Sequence, residues 1–179
     1  MATAVLVHGA WQGAWCWQRV LALLDADGHD VVAPTLTGCG SRADLLGPEV
    51  DLDTHVSDVV SAIDGVDGGD VVLVGHSHSG MLLPAVAAAR AERLQSVVFV
   101  DAFHPRRGDS ALGLMRSSFL ERFRSIAVEE GDGWRLPASD AMTTSVPRRV
   151  SMPALPGGDG PCTAPRGAGA CEVSGAASR

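Results

Sequence analysis

The feature that most restricts how this chain can fold is a set of four short apolar runs, each followed by a helix-like stretch. The runs are Ala4-Val5-Leu6-Val7, Asp30-Val31-Val32-Ala33-Pro34, Asp70-Val71-Val72-Leu73-Val74 and Ser96-Val97-Val98-Phe99-Val100. A strand with one wet face alternates apolar and polar residues. A run that is apolar at nearly every position is instead covered on both faces. Between the runs the period changes. Residues 14–27 place Trp17, Val20, Leu23 and Leu24 on one helical side and close at Gly28. Residues 53–64 carry Val56, Val59, Val60 and Ile63 at the i, i+3, i+4, i+7 spacing of an amphipathic helix. Residues 79–91 read as an apolar, Ala-rich helix, residues 110–126 as a further helix, and residues 35–47 as a loop. Strand–helix alternation of this kind predicts an α/β fold with a parallel, doubly covered sheet. Such sheets bind ligands at the carboxyl ends of their strands. The segments to inspect are therefore residues 8–11, 35–42, 75–80 and 101–104.

Composition excludes several classes. With 179 residues the chain has the length of one domain. Fourteen basic residues, all arginine, face 21 acidic ones for a net charge of −7, which argues against nucleic-acid or anionic-membrane partners. The longest apolar stretch, Met81–Ala89, contains nine residues including Pro84. A spanning helix needs roughly 20. Cys16, Cys39, Cys162 and Cys171 show no C-x-x-C spacing, so neither zinc nor thioredoxin-type chemistry is supported. Thiols in a reducing cytoplasm are expected, with a Cys162–Cys171 disulfide left open. No secretory signal is read at the start of the chain.

The third run carries the strongest chemical signal. Val71-Val72-Leu73-Val74-Gly75-His76-Ser77-His78-Ser79-Gly80 is strand, tight turn, then helix, and Gly75-x-Ser77-x-Ser79 approximates the Gly-x-Ser-x-Gly nucleophile elbow. A serine on such a turn holds its hydroxyl clear of the sheet, and the helix behind it stabilises developing negative charge. The second glycine position is Ser79, read as a small packing residue with some crowding of the turn. The first run ends in His8-Gly9-Ala10-Trp11. Acyl transfer needs two backbone N–H groups on the oxyanion. His78, after the serine, and Ala10, on the loop after the first strand, are the candidates. His8 reads as a loop-ordering side chain.

These segments together resemble a known family. His8-Gly9-Ala10-Trp11 with Gly13-Ala14-Trp15-Cys16-Trp17, then Pro34-Thr35-Leu36-Thr37-Gly38, Asp51-Leu52-Asp53-Thr54-His55, Gly75-His76-Ser77 and Val100-Asp101-Ala102-Phe103 look like the small bacterial α/β-hydrolases. Those are similar to plant methylesterases and hydroxynitrile lyases. The resemblance covers residues 3–127. It implies Ser77 as nucleophile, Ala10 and His78 as oxyanion donors, a small uncharged ester as substrate, and neither metal nor cofactor. Two other readings stay open: a lyase cleaving a carbon–carbon bond, as in cyanohydrins, and a catalytically inactive remnant.

The remnant reading arises because chain order in this fold is Ser, then acid, then His. The six histidines are His8, His29, His55, His76, His78 and His104, and none follows position 104. Asp101 and His104, on the loop after the fourth strand, are the candidate substitutes for acid and base. The chain thus divides into a hydrolase core at residues 1–137, with a lid segment starting near 109, and a low-complexity tail at residues 138–179. Of residues 151–179, 19 are Gly, Pro, Ala or Ser. Too little apolar surface is available there to offset ordering entropy, so disorder is expected. The composition also suggests an out-of-frame reading of a GC-rich gene beginning between residues 138 and 150. Loss of the later strands would leave a sheet edge uncovered.

The remaining features have plainer readings. Trp11, Trp15 and Trp17 read as packing near the oxyanion loop. Phe103, Met115 and Phe119 read as helix packing or an acyl pocket. Asp44, Glu49, Asp51, Asp53 and Asp58 read as a solvated face.

Overall fold

The computed structural model describes residues 3–138. Apart from residue 138, the expected low-complexity tail and the proposed frame change lie outside those residues, as does the Cys162–Cys171 pair.

All four apolar runs are strands: β1 (Thr3–Val7), β2 (Asp30–Val32), β3 (Val71–His76) and β4 (Leu94–Val100). They form one parallel sheet in the order β2-β1-β3-β4. Parallel neighbours need crossover connections, which the helices supply. These are α1 (Gln18–Ala26), α2 (Leu52–Asp64) and α3 (Leu83–Ala89), followed by α4 (Ala111–Leu114) and α5 (Ser117–Glu130). The core lies where Val5, Val7, Val71 and Leu73 meet Val59 and Ile63 of α2 and Leu83 and Val86 of α3. Alternate residues of β1, Ala4 and Leu6, are also buried, so that strand is covered on both sides, as its unbroken apolar pattern requires.

Three boundaries differ from the sequence reading, each for a local reason. The helix after β3 is split. A 3₁₀ turn spans Ser77–Met81, and α3 opens only at Leu83, because Pro84 lacks an N–H and fits only a first turn. The segment before α1 also begins as a 3₁₀ turn, Ala14–Trp17. The loop at residues 35–47 contains 3₁₀ structure over Gly40–Leu45. By contrast α2 starts sharply. The Asp51 carboxylate accepts a hydrogen bond from the Thr54 N–H at 2.9 Å, and the Thr54 hydroxyl oxygen accepts one from the Asp51 N–H at 3.4 Å, a capping box.

The strand order places the site. From β1 the chain runs outward through α1 to β2, and from β3 it runs the opposite way through α3 to β4. The loops leaving β1 and β3 therefore diverge and open a crevice between adjacent strand ends. This topological switch point is where open α/β sheets bind ligands. It brings the segments after Val7 and after His76 together.

Candidate active site

Ser77 follows the last residue of β3 and has φ 55°, a left-handed conformation that a serine adopts only at a cost of order 1–3 kcal/mol. Three contacts hold it there. Its carbonyl accepts the Phe103 N–H at 3.0 Å, tying the turn to the loop after β4. The Ser79 hydroxyl bonds the His76 carbonyl at 2.9 Å and the Val7 carbonyl at 3.2 Å, joining the ends of β3 and β1. The third contact is with Gly9. A Cβ placed on Gly9 would stand 3.0 Å from the Ser77 Cβ, so the loop after β1 lies directly against the serine.

Ser79 takes the second glycine position in a tight turn, where a Cβ on Gly75 would stand 2.8 Å from its hydroxyl oxygen. It is fully buried, and its one hydroxyl proton is shared between the His76 and Val7 carbonyls, so it acts as a polar stitch in the place of the second glycine. The residue that must be glycine is the next one. A Cβ on Gly80 would fall 2.0 Å from the Phe103 carbonyl oxygen, so the loop after β4 can cross the turn only over a bare backbone.

His8 behaves as a loop-ordering residue. It is fully buried, its Nε2 accepts the Leu36 N–H at 3.0 Å, and its Nδ1 lies 2.8 Å from the Gly9 carbonyl. Because the Leu36 N–H can only donate, Nε2 carries the lone pair and Nδ1 the proton. In a trans peptide the Gly9 carbonyl and the Ala10 N–H point in opposite directions. By holding one, His8 sets the direction of the other. Burial above all pushes His8 down to about 4, from an ordinary 6.5, and nearby His55 and His76 push the same way. His78 is likewise buried and pushed down to about 4, first by desolvation and then by His55 and His8. Both rings are therefore neutral near pH 7.

The loop after β2 is fixed by residues of α2 that the sequence reading did not single out for it. From sequence, Asp58 reads as part of a solvated acidic face. Instead its half-buried carboxylate accepts the Thr37 N–H at 2.7 Å, the Thr37 hydroxyl at 3.1 Å and Arg42 at 3.0 Å. His55 Nε2 donates to the Thr37 carbonyl at 2.9 Å. The sequence did hold a trace of the second role, since His55 shares a helical stripe with Val59 and Ile63, and all three are buried. No periodicity marks Asp58. Its partners lie on a loop 16 to 21 residues away.

Asp101 and His104 are placed differently. Asp101 follows β4 directly with φ 44° and is exposed. His104 is exposed, with its ring tilted at 49° against Phe99 at a centroid separation of 4.7 Å. Among the described residues no hydrogen bond joins His104 to Asp101 or to Ser77. Of the three tryptophans near the oxyanion loop, Trp11 donates through its indole N–H to the Leu136 carbonyl at 2.8 Å and meets Phe123 edge-on, fastening the segment after α5 to the loop after β1. Trp17 meets the His76 ring edge-on at 6.3 Å. Phe119 is 54% exposed and touches Phe123, so it packs along α5. No helix among the described residues is long and apolar enough to cross a membrane.

Residues 4–174 match the alpha/beta hydrolase family, running past residue 127, where the motif-by-motif resemblance stops. The carbendazim hydrolyzing esterase of Nocardioides sp. (strain SG-4G) is 41% identical over 145 residues, covering 76% of this chain and 60% of that protein. Methylesterase 8 of Arabidopsis thaliana is 33% identical over 127 residues, covering 70% of this chain and 45% of its own length. An extracellular alpha/beta-hydrolase from a Paenibacillus species, described as sharing structural and functional homology with Tobacco Salicylic Acid Binding Protein 2, superposes with a TM-score of 0.70. It is 28% identical, and the match covers 78% of this chain and 56% of that one. The chain thus spans between 45% and 60% of the length of these relatives. With the parallel sheet, the strained serine at the switch point and a family match over most of its length, the chain belongs to the alpha/beta hydrolase family.

Proposed function

We propose that this chain hydrolyses small uncharged carboxylic esters through an acyl-enzyme at Ser77. The oxyanion would be held by the backbone N–H groups of Ala10 and His78. The observation that carries this reading is the left-handed Ser77 at the tip of β3 with Gly9 packed against its Cβ. That contact brings the Gly9–Ala10 peptide beside the serine. On the other side, His78 lies in the first turn after β3, where N–H groups lack partners within the turn. The esterase names of the relatives favour the same chemistry. No cofactor enters the reaction as written. The cytoplasm remains the expected location, which cell fractionation tests.

A second reading is a family member that keeps the serine but lacks a proton relay. It is favoured by a specific observation: among the described residues no imidazole hydrogen-bonds the Ser77 hydroxyl. Without a base, serine is a weak nucleophile. In this reading Asp101 orders its turn and His104 is a solvated loop residue. In the first reading they are the pair available for proton transfer.

A fluorophosphonate probe separates the two. Covalent labelling of the full chain that disappears in Ser77→Ala, together with release of alcohol and acid from short-chain esters, supports the hydrolase. An unlabelled, folded chain supports the inactive reading.

A further inference from the structure

Gln12 stands between the two loops that build the site, and its interactions settle more than its own position. The Gly9 N–H points at Gln12 Oε1 at 3.0 Å. A backbone N–H can only donate, so the side-chain atom facing it is the amide oxygen, which can only accept. The same oxygen lies 3.3 Å from His76 Nδ1. His76 Nδ1 must therefore carry a proton, and in the neutral ring the lone pair is left on Nε2. The turn closes further through the Gln12 N–H, 3.4 Å from the Gly9 carbonyl. Space at this junction is tight. A Cβ on Gly9 would meet His76 Nδ1 and Ser77 Cβ at 3.0 Å each and Gln12 Oε1 at 3.1 Å. One point thus touches the residue before the serine, the serine itself and the glutamine.

We infer that Gln12 is a positioning residue: its single amide oxygen, bonded to the Gly9 N–H and to His76 Nδ1–H, sets the spacing between the oxyanion loop and Ser77. The inference rests on the nucleophile and oxyanion roles proposed above. Its physical basis is that the two donors belong to different strand ends, β1 and β3, so one acceptor bonded to both ties those ends together. Reacting groups tolerate little misplacement, with about 1 Å costing as much as 10²-fold in rate. Gln12 touches no reacting atom and acts only through Gly9 and His76.

The test uses the full chain and two readouts. Ring ¹⁵N shifts of His76 at mildly alkaline pH report which nitrogen is protonated. The rate of fluorophosphonate labelling at Ser77 reports the site. In the unsubstituted chain the Nδ1–H form is expected. Gln12→Leu removes the acceptor, so His76 should move toward the Nε2–H form and labelling should slow by about tenfold or more. Gln12→Glu keeps an acceptor at both donors and should restore the Nδ1 proton and most of the labelling rate. Gln12→Met replaces Gln12→Leu if the latter does not fold. An Nδ1–H form that persists in Gln12→Leu overturns the inference, as does labelling at the unsubstituted rate. If the unsubstituted chain is not labelled at all, the nucleophile reading fails first, and this is seen before any variant is compared.

Discussion

The turns after β3 and β4 start at the same level of the sheet, since His76 and Val100 are register partners, yet they are built differently. Each begins with a non-glycine residue in the left-handed region, Ser77 at φ 55° and Asp101 at φ 44°. Aspartate enters that region several-fold more readily than most residues, so Asp101 needs no special account. Serine has less excuse, and its turn is enclosed: Gly9 lies against its Cβ, Phe103 bonds its carbonyl and Ser79 stitches the strand ends beneath it. The Asp101 carboxylate is exposed and makes no hydrogen bond among the described residues. The difference follows the sheet. β3 has a strand on each side, and its residues Val71 and Leu73 are fully buried, whereas among the described residues β4 is an edge strand whose Val98 and Val100 remain 40% exposed. Backbone strain persists where neighbours on both sides over-determine it, and a site can be held there.

Substitutions can break or sharpen this contrast. The largest effect is expected at the enclosed turn: Ser77→Ala removes fluorophosphonate labelling, as intact-protein mass spectrometry would read. His104→Ala, at the open turn, leaves the labelling rate within about twofold if proton transfer does not pass through it. A loss of tenfold or more would assign His104 to the relay.

Packing should follow the same division. Leu73→Ala in the central strand is expected to cost about 2–5 kcal/mol in urea denaturation, because a buried cavity is left. Gly80→Ala should cost about 1–3 kcal/mol by forcing the Phe103 carbonyl off the turn.

Acid should unlock the enclosed region first. His8 and His78 titrate near 6.5 when unfolded and near 4 when folded, so the unfolded chain takes up protons first as pH falls. The stability each confers is full above 6.5 and is lost as pH drops toward 4. For His8 the loss is on the order of 3 kcal/mol. Unfolding free energies across that pH window should fall, and the slope should flatten in His8→Asn. A slope unchanged by His8→Asn would show that His8 is not held neutral. The smallest effect is expected on the edge strand, where Val98→Thr should change stability by about 0.5 kcal/mol or less.

The four strands and the helices between them were legible because burial on both faces leaves an unbroken apolar run, and burial of one helix face leaves a 3.6-residue period. Ser77 was legible because strand, small residue and serine are contiguous in the chain. Gln12, Asp58 and the exact place of the indispensable glycine were not. Gln12 meets His76 across 64 positions, and Asp58 meets Thr37 across 21. Gly80 matters because a carbonyl from the loop after β4 crosses over it. A polar contact between distant segments imposes no period on either of them, so nothing in the local pattern records it.

What the sequence alone determined was the class of fold, the sheet's covered strands and the serine at a strand end, since each rests on residues that are neighbours along the chain. What only the tertiary structure decided was which loops face each other across the switch point, which protons His8 and His76 carry, and that His104 packs at a tilt against Phe99 with no hydrogen bond to the serine among the described residues. Those outcomes depend on the strand order β2-β1-β3-β4, which sets distant backbone groups a hydrogen bond apart.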